Sequence, residues 1–150
     1  MQEIIDDKDK KILEILKDHA DYSTRDISKK VLLPITTVHH RIQKLKKAGV
    51  IKKYTVELDN SKTDNNFVAY VLISVNIALL KEKKKSQYKL LSEIRKFYFV
   101  ERADIVSGGT DIVVLMRVRD VQEFDNCLLN KLQLVEGIEK TQSLIVIHEQ

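Results

Sequence analysis

Between Pro34 and Gly49 the only large apolar residues are Ile35, Val38, Ile42 and Leu45. That spacing is the repeat of one helix face, so the stretch predicts a helix whose inner side is narrow and wholly aliphatic. Pro34 stands where a helix start tolerates proline, and Gly49 where a glycine ends one. Upstream, Ser23 is an N-cap residue with Asp26 at the third helical position to reach back, and Ile27 and Val31 form a short inner stripe. Leu32-Leu33-Pro34 leaves room only for a tight turn between the two helices. An earlier helix, with Asp6 and Asp9 in a capping-box arrangement and Ile12, Leu13, Ile15 and Leu16 along one side, runs to about Asp18. Three short helices with this turn make a helix-turn-helix. Val50-Ile51 is expected to pack back on it, and Lys52–Leu58 to leave it as a strand, giving a winged-helix-like unit.

Charge follows this division. Residues 27–56 hold eight Lys/Arg, two His and no Asp or Glu. Residues 1–53 carry thirteen Lys/Arg against eight Asp/Glu, residues 54–150 thirteen against fourteen. The net charge of +4 is therefore a property of the first third, and a basic surface on a helix-turn-helix suits a phosphate backbone.

The far side of the helix from Ile35 follows from about 100° per residue. It presents Thr36, Thr37, His40, Gln43, Lys44 and Lys47, flanked by His39 and Arg41. Thr36, Thr37 and His40 lie in the half that reaches base edges, where Thr can meet a thymine methyl and His can donate to guanine acceptors. Arg41, Lys44 and Lys47 suit phosphates, and Lys52 and Lys53 could meet the adjoining backbone. The implied partner is double-stranded DNA. A metal-binding reading of His39-His40 is weak, because neighbours on a helix point apart and no third ligand is near.

Asp59 through Asn66 is polar and turn-rich, and divides the chain into a domain over 1–53, a linker strand and loop over 54–66 and a second domain over 67–150. In the second domain Phe67–Ile77 reads as a buried strand and Lys81–Lys85 as a solvated charge run. Leu90, Leu91, Ile94 and Phe97 mark a helix; Phe99–Val106 and Ile112–Val118 are strands joined at Gly108-Gly109. Val121, Phe124, Leu128 and Leu132 mark a second helix, and Ile138–Ile147 is the last strand after a turn at Gly137. The order βαββαβ is ferredoxin-like, so the whole is an α+β chain. Its helices cover one side of the sheet. The aliphatic alternation in the strands leaves no solvated face on the other, and a homodimer through the sheets is the simplest cover.

The single cysteine, Cys127, excludes an intrachain disulfide and reads as a small buried residue, consistent with a reducing cytoplasm. The acidic start, Met1 to Asp7, lacks the basic and apolar regions of a signal peptide. Phe67–Leu80, the most apolar stretch, is too short for a membrane helix. No cofactor or metal is implied.

The runs Ile5-Asp6-Asp7-Lys8-Asp9-Lys10-Lys11-Ile12-Leu13, Ser23-Thr24-Arg25-Asp26-Ile27-Ser28, Thr36 through Leu45 and Gly49-Val50-Ile51 resemble the leucine-responsive/asparagine-regulatory (Lrp/AsnC) family of prokaryotic transcription factors. So do Phe67 through Val71, Ser107-Gly108-Gly109-Thr110-Asp111 and Gly137-Ile138 with Thr141 and Leu144-Ile145-Val146. The resemblance implies a helix-turn-helix followed by a ligand-sensing ferredoxin-like domain that dimerises and often assembles further, to an octamer. It also implies an amino-acid effector held near the hairpin, with Gly108 and Gly109 amides on a carboxylate and Asp111 answering an ammonium; Ser107 and Thr110 complete that set. Leu32 replaces the glycine usual in the family's turn and fits if φ stays negative. Thr110 replaces an aromatic residue common before the hairpin aspartate.

The competing reading is an enzyme. Sirohaem decarboxylases resemble the same two-part architecture, but would need histidine and cationic groups lining a cavity in the second domain. Only His148 and the scattered Arg95, Arg102, Arg117 and Arg119 are available. RNA binding by the sheet lacks aromatic stacking motifs. The reading adopted is therefore a DNA-binding regulator, not an enzyme.

Overall fold

The computed structural model describes residues 5–148. It divides into two compact units, Met1–Leu58 and Asp59–Gln150. The first unit contains helices α1 (Asp7–Asp18), α2 (Thr24–Val31) and α3 (Ile35–Lys47). Both expected capping boxes are present: Asp6 and Asp9 each accept the other's backbone N–H, as do Ser23 and Asp26. Ile12, Leu16, Ile27, Val38 and Ile42 form the core, with Ile15, Tyr22, Val31, Leu33 and Ile51 packed around them. Ile35, expected on the inner stripe, is half-exposed at the start of α3. Gly49 has φ +73°; its N–H reaches the Lys46 carbonyl and that of Val50 the Leu45 carbonyl, the double closure of a Schellman turn.

Two further expectations for this unit fail. Leu32 does not keep a negative φ: it caps α2 at φ 54°, ψ 43°, with its side chain 88% exposed. The turn therefore keeps the left-handed backbone of a glycine turn while carrying a leucine that packs on nothing. The turn is held by the Ser28 hydroxyl, which donates to the Leu33 carbonyl at 2.6 Å. Leu32→Gly should stabilise the unit by about 1 kcal/mol, because the left-handed penalty of a β-carbon exceeds the entropy a glycine loses on folding. Denaturant unfolding will show it as a raised midpoint at unchanged slope. The second failure is the strand over Lys52–Leu58: these residues pair with no strand. Sheet bonds need a partner, and none is offered. What secures this segment locally is Lys46, whose ammonium stands 4.7 Å from the centre of the Tyr54 ring.

The second unit holds β1 (Phe67–Val75), α4 (Ile77–Glu82), α5 (Gln87–Ile94), β2 (Val100–Ile105), β3 (Ile112–Val118), α6 (Val121–Cys127) and β4 (Ile138–Ile145). The sheet is antiparallel in the order β2-β3-β1-β4, the ferredoxin-like arrangement. β1 is shorter than expected, because Asn76 caps α4 by accepting the Leu79 N–H and so turns Ile77 into a helix start. α6 runs into a π turn, Leu128–Leu132, which keeps Leu132 in the core. The last strand ends at Ile145, not Ile147.

Ala69, Val71, Ile73, Val75, Ile112, Val114, Met116 and Val118 line the helix-covered side and are buried. At Gly137, φ is +110°, a backbone that other residues rarely adopt, and an added β-carbon would lie 2.6 Å from Leu80 Cδ2, so any other residue would be strained there. Cys127 is buried, its Sγ 3.4 Å from the Tyr98 hydroxyl.

The opposite face is less uniformly apolar than expected. Register places Tyr70, Leu72, Val113, Leu115 and Leu144 along its middle. The same register sets Arg102 and Asp104 on β2 and Lys140 and Gln142 on β4 at its sides. The outer strands thus give it a polar margin, and only the central strip has the alternation of a fully covered sheet.

Candidate nucleic-acid interface

The aliphatic stripe of α3 fixes which of its side chains face out. Val38, Ile42 and Leu45 are buried, so Thr36, His39, His40, Gln43, Lys44 and Lys47 are exposed and Thr37 is half-exposed. Lys52 and Lys53 are exposed on the segment beyond Gly49. Thr37, His40, Arg41 and Lys44 border an open depression of about 520 Å³, with Asp6 on its edge.

Arg41 is where the structure departs most from expectation. The window 27–56 holds no acid, but α1 supplies two. Arg41 Nη1 donates to Asp6 Oδ1 and Oδ2 at 2.8 and 2.7 Å and to Asp9 Oδ1 at 2.8 Å. Its side chain is only 22% exposed and that of Asp9 is fully buried. These are the capping carboxylates of α1, so one pair of side chains ends one helix and fastens another. Arg41, expected at a phosphate, is engaged by two carboxylates and braces α1 against α3. Lys44 also reaches Asp9, at 3.3 Å, but stays 54% exposed and keeps donors for an incoming phosphate. The carboxylates Asp6 and Asp9 were legible only as caps; nothing in the spacing showed that α3 would cross their end of α1.

Electrostatics fit this brace. The Asp9 N–H and the Arg41 guanidinium hold the Asp6 carboxyl down at about 2. Burial pushes Asp9 up, but Arg41, the Asp6 N–H and Lys44 outweigh it and hold Asp9 below the usual range. Arg41 is held more firmly protonated by Asp9 and Asp6. Both carboxyls titrate lower folded than unfolded, so their stabilisation is complete above the ordinary carboxylate pKa and is lost as pH falls through their folded values, about 2 for Asp6. Urea midpoints should be level near neutrality and fall below about pH 4, with a shallower fall in Asp6→Asn.

The hairpin beside β1 is the second site. Ser107, Gly108 and Gly109 are exposed and Gly108 has φ +142°. Thr110 Oγ1 and Asp111 N–H both donate to the Ile73 carbonyl, at 2.9 and 3.0 Å. Asp111 Oδ2 accepts the Val75 N–H at 2.8 Å. Asp111 therefore ties the hairpin to the end of β1 through Oδ2. Thr110 is likewise a tether.

In the second unit Arg95 donates to the Ala103 carbonyl, Arg102 pairs with Asp104, Arg117 with Glu101 and Arg119 with Asp120. His148 is exposed beyond β4. Among the described residues no three His, Cys, Asp or Glu side chains gather as a metal site, and no helix is long and apolar enough to cross a membrane.

A basic helix-turn-helix followed by a ferredoxin-like domain defines a two-domain DNA-binding regulator with a sensing module. Residues 5–52 match the winged helix-turn-helix DNA-binding family, and residues 70–150 the Lrp/AsnC ligand binding domain. The chain is 33% identical to the HTH-type transcriptional regulator FL11 of Pyrococcus furiosus over 98% of its own length and 92% of that protein. Its identity to FL11 of Pyrococcus horikoshii is 31%, over 95% and 89%. Its fold is that of the transcriptional regulator NMB0573 of Neisseria meningitidis, solved with L-Met, with a TM-score of 0.84, 23% identity and coverage of 97% and 91%. E. coli AsnC gives 0.80, 23%, 97% and 93%. The chain belongs to the Lrp/AsnC family of helix-turn-helix transcriptional regulators.

Proposed function

We propose that α3 enters the major groove of duplex DNA, with Thr36, Thr37 and His40 at base edges and Gln43, Lys44, Lys47, Lys52 and Lys53 toward the backbone; His39 flanks them. The carrying observation is the exposed face of α3, which carries no acid of its own from Thr36 to Lys47 and meets Asp6 and Asp9 of α1 at Arg41 and Lys44. A homodimer through the open sheet face, centred on Tyr70, Leu72, Leu115 and Leu144, presents two such helices to two half-sites. An octamer of four such dimers would gather more. The protein acts in the cytoplasm as a regulator and not as an enzyme: the arginines a catalytic cavity would need are held by neighbouring carboxylates and a carbonyl.

An amino acid is the effector class. The solved complex of NMB0573 holds L-Met, and the exposed Ser107-Gly108-Gly109 amides of this chain offer a carboxylate site. Thr110 and Asp111 shape that loop through their bonds to Ile73 and Val75, and Asp111 answers the ammonium with its other oxygen. An effector acts only through unequal affinity for the assembly states. The test is a binding titration on DNA fragments selected by the protein, at several salt concentrations. Log affinity should fall by about 0.9 per decade of salt for each phosphate neutralised. A flat response removes the reading.

A further inference from the structure

The second unit carries a cationic surface that this reading does not use. Lys81, Lys83, Lys84 and Lys89 lie within nine residues and are all exposed, in a unit that is otherwise slightly acidic. The turn that bears them is closed by backbone hydrogen bonds. α4 closes with a second Schellman turn: the Lys84 N–H reaches the Lys81 carbonyl at 3.1 Å, and that of Lys85 the Leu80 carbonyl at 2.9 Å. Lys85, its side chain only 10% exposed, pairs with Glu93 and donates to the Glu136 carbonyl at 2.8 Å. The one buried lysine of the run thus anchors the turn to the approach of β4. It also consumes Glu93, while Glu136 stands 3.9 Å from Lys83. Lys81, Lys84 and Lys89 keep no carboxylate partner among the described residues, and Glu82 is the only acid between them in sequence.

The apex is also strained. Lys84 occupies the glycine position of the turn with φ +51°, one of two non-glycine residues in that region among the described ones. Glycine there would be the more stable choice. A residue held in an unfavourable backbone well for no packing gain marks a place to look for function.

We propose that Lys81, Lys84 and Lys89, with Lys83 beside them, form a second phosphate-binding surface that holds duplex DNA flanking the segment read by α3. The inference rests on the DNA-binding reading. Once α3 holds a duplex, flanking phosphates are at high effective concentration around the same chain, so a few exposed ammonium groups suffice where they would bind little on their own. Lysines present point charges without a base code, so this surface adds affinity and no sequence preference.

The experiment uses the full chain and two duplexes. One is a selected operator trimmed to the half-sites; the other is the same operator with about two further helical turns on each side. Affinity is measured by anisotropy across a salt series for the wild type, the triple variant K81Q/K84Q/K89Q and Lys84→Gly. The wild type should bind the longer duplex more tightly and with a steeper salt slope. The triple variant should lose that gain, by at least about tenfold, with the slope shallower by up to about 2.7, and should match the wild type on the trimmed duplex. Lys84→Gly should unfold at a higher temperature yet bind the longer duplex more weakly, opposite signs that a purely structural lysine does not produce. Equal wild-type behaviour on both duplexes, or equal weakening of the triple variant on both, overturns the proposal while leaving the α3 reading intact. Failure of the wild type to bind either duplex overturns the DNA reading and this inference with it.

Discussion

Replacing Arg41 by alanine should lower the thermal midpoint of the helix-turn-helix unit by about 10 °C or more, the largest single stability effect expected outside its aliphatic core. The reason is Asp9, whose carboxylate is wholly buried and faces the guanidinium at 2.8 Å. Removing one partner of a buried pair leaves a charge with no solvent, at about 3–5 kcal/mol. Here the lower end applies, because Lys44 stays within 3.3 Å and the Asp6 N–H still donates to Asp9. Arg41→Lys should recover part of the loss but not all, since a shorter, flexible side chain must bring its ammonium to the point where Nη1 meets both carboxylates. The double variant with Asp9→Leu should be more stable than Arg41→Ala alone, because it removes the stranded charge. If the double variant is the weaker one, Arg41 stabilises by some other route. DNA binding gives an independent readout. A brace neutralises no phosphate, so Arg41→Gln should leave the salt slope unchanged, where a lost phosphate contact would make it shallower by about 0.9.

The second large effect separates reading from holding. Lys47→Gln should reduce affinity for all sequences alike and make the salt slope shallower by about 0.9, the signature of one lost phosphate contact. Thr37→Ala or His40→Ala should leave the slope unchanged, cost about 1–3 kcal/mol on the preferred site and little on random DNA, and so flatten the site preference. Competition titrations against a mutated operator measure both. Should all three variants behave alike, the assignment of the N-terminal half of α3 to bases and its C-terminal half to phosphates is wrong. Lys44 is a mixed case. It is exposed enough to meet a phosphate but also helps neutralise Asp9, so Lys44→Gln should combine a shallower slope with a modest loss of stability.

The helices were legible where local chemistry decides them. The capping boxes at Asp6 and Ser23 and the closing glycine at Gly49 announce their ends in side chains a few residues apart, and the stripe Val38, Ile42, Leu45 announces the buried face of α3. Ile35 broke that stripe because the first turn of a helix can project past the core it heads toward. The segment over 52–58 was misread for a related reason. Its alternation of Lys, Tyr, Val and Leu satisfies a strand, but a strand also needs an edge to bond to, which no local pattern reports. Leu32 shows the converse: a turn geometry set by the helices on either side forces a leucine into a left-handed well that its own preference opposes.

The site residues divide in the same way. The exposed face of α3 follows from periodicity alone, because burying one stripe of a helix exposes the other. The role of Arg41 does not, since its partners lie thirty-two and thirty-five residues away and were visible only as caps. The resemblance implies Asp111 as a ligand group; that its Oδ2 also takes the amide of Val75, thirty-six residues distant, no local pattern reports. What the chain's order of residues determined was local: two helices opened by capping boxes and a third marked by its stripe, the four strands of the second domain, a basic helix face and an acid-free window. What only the tertiary structure decided was which charges remain available, because the partner that neutralises a side chain is chosen by how elements cross in space and not by how close they stand along the chain.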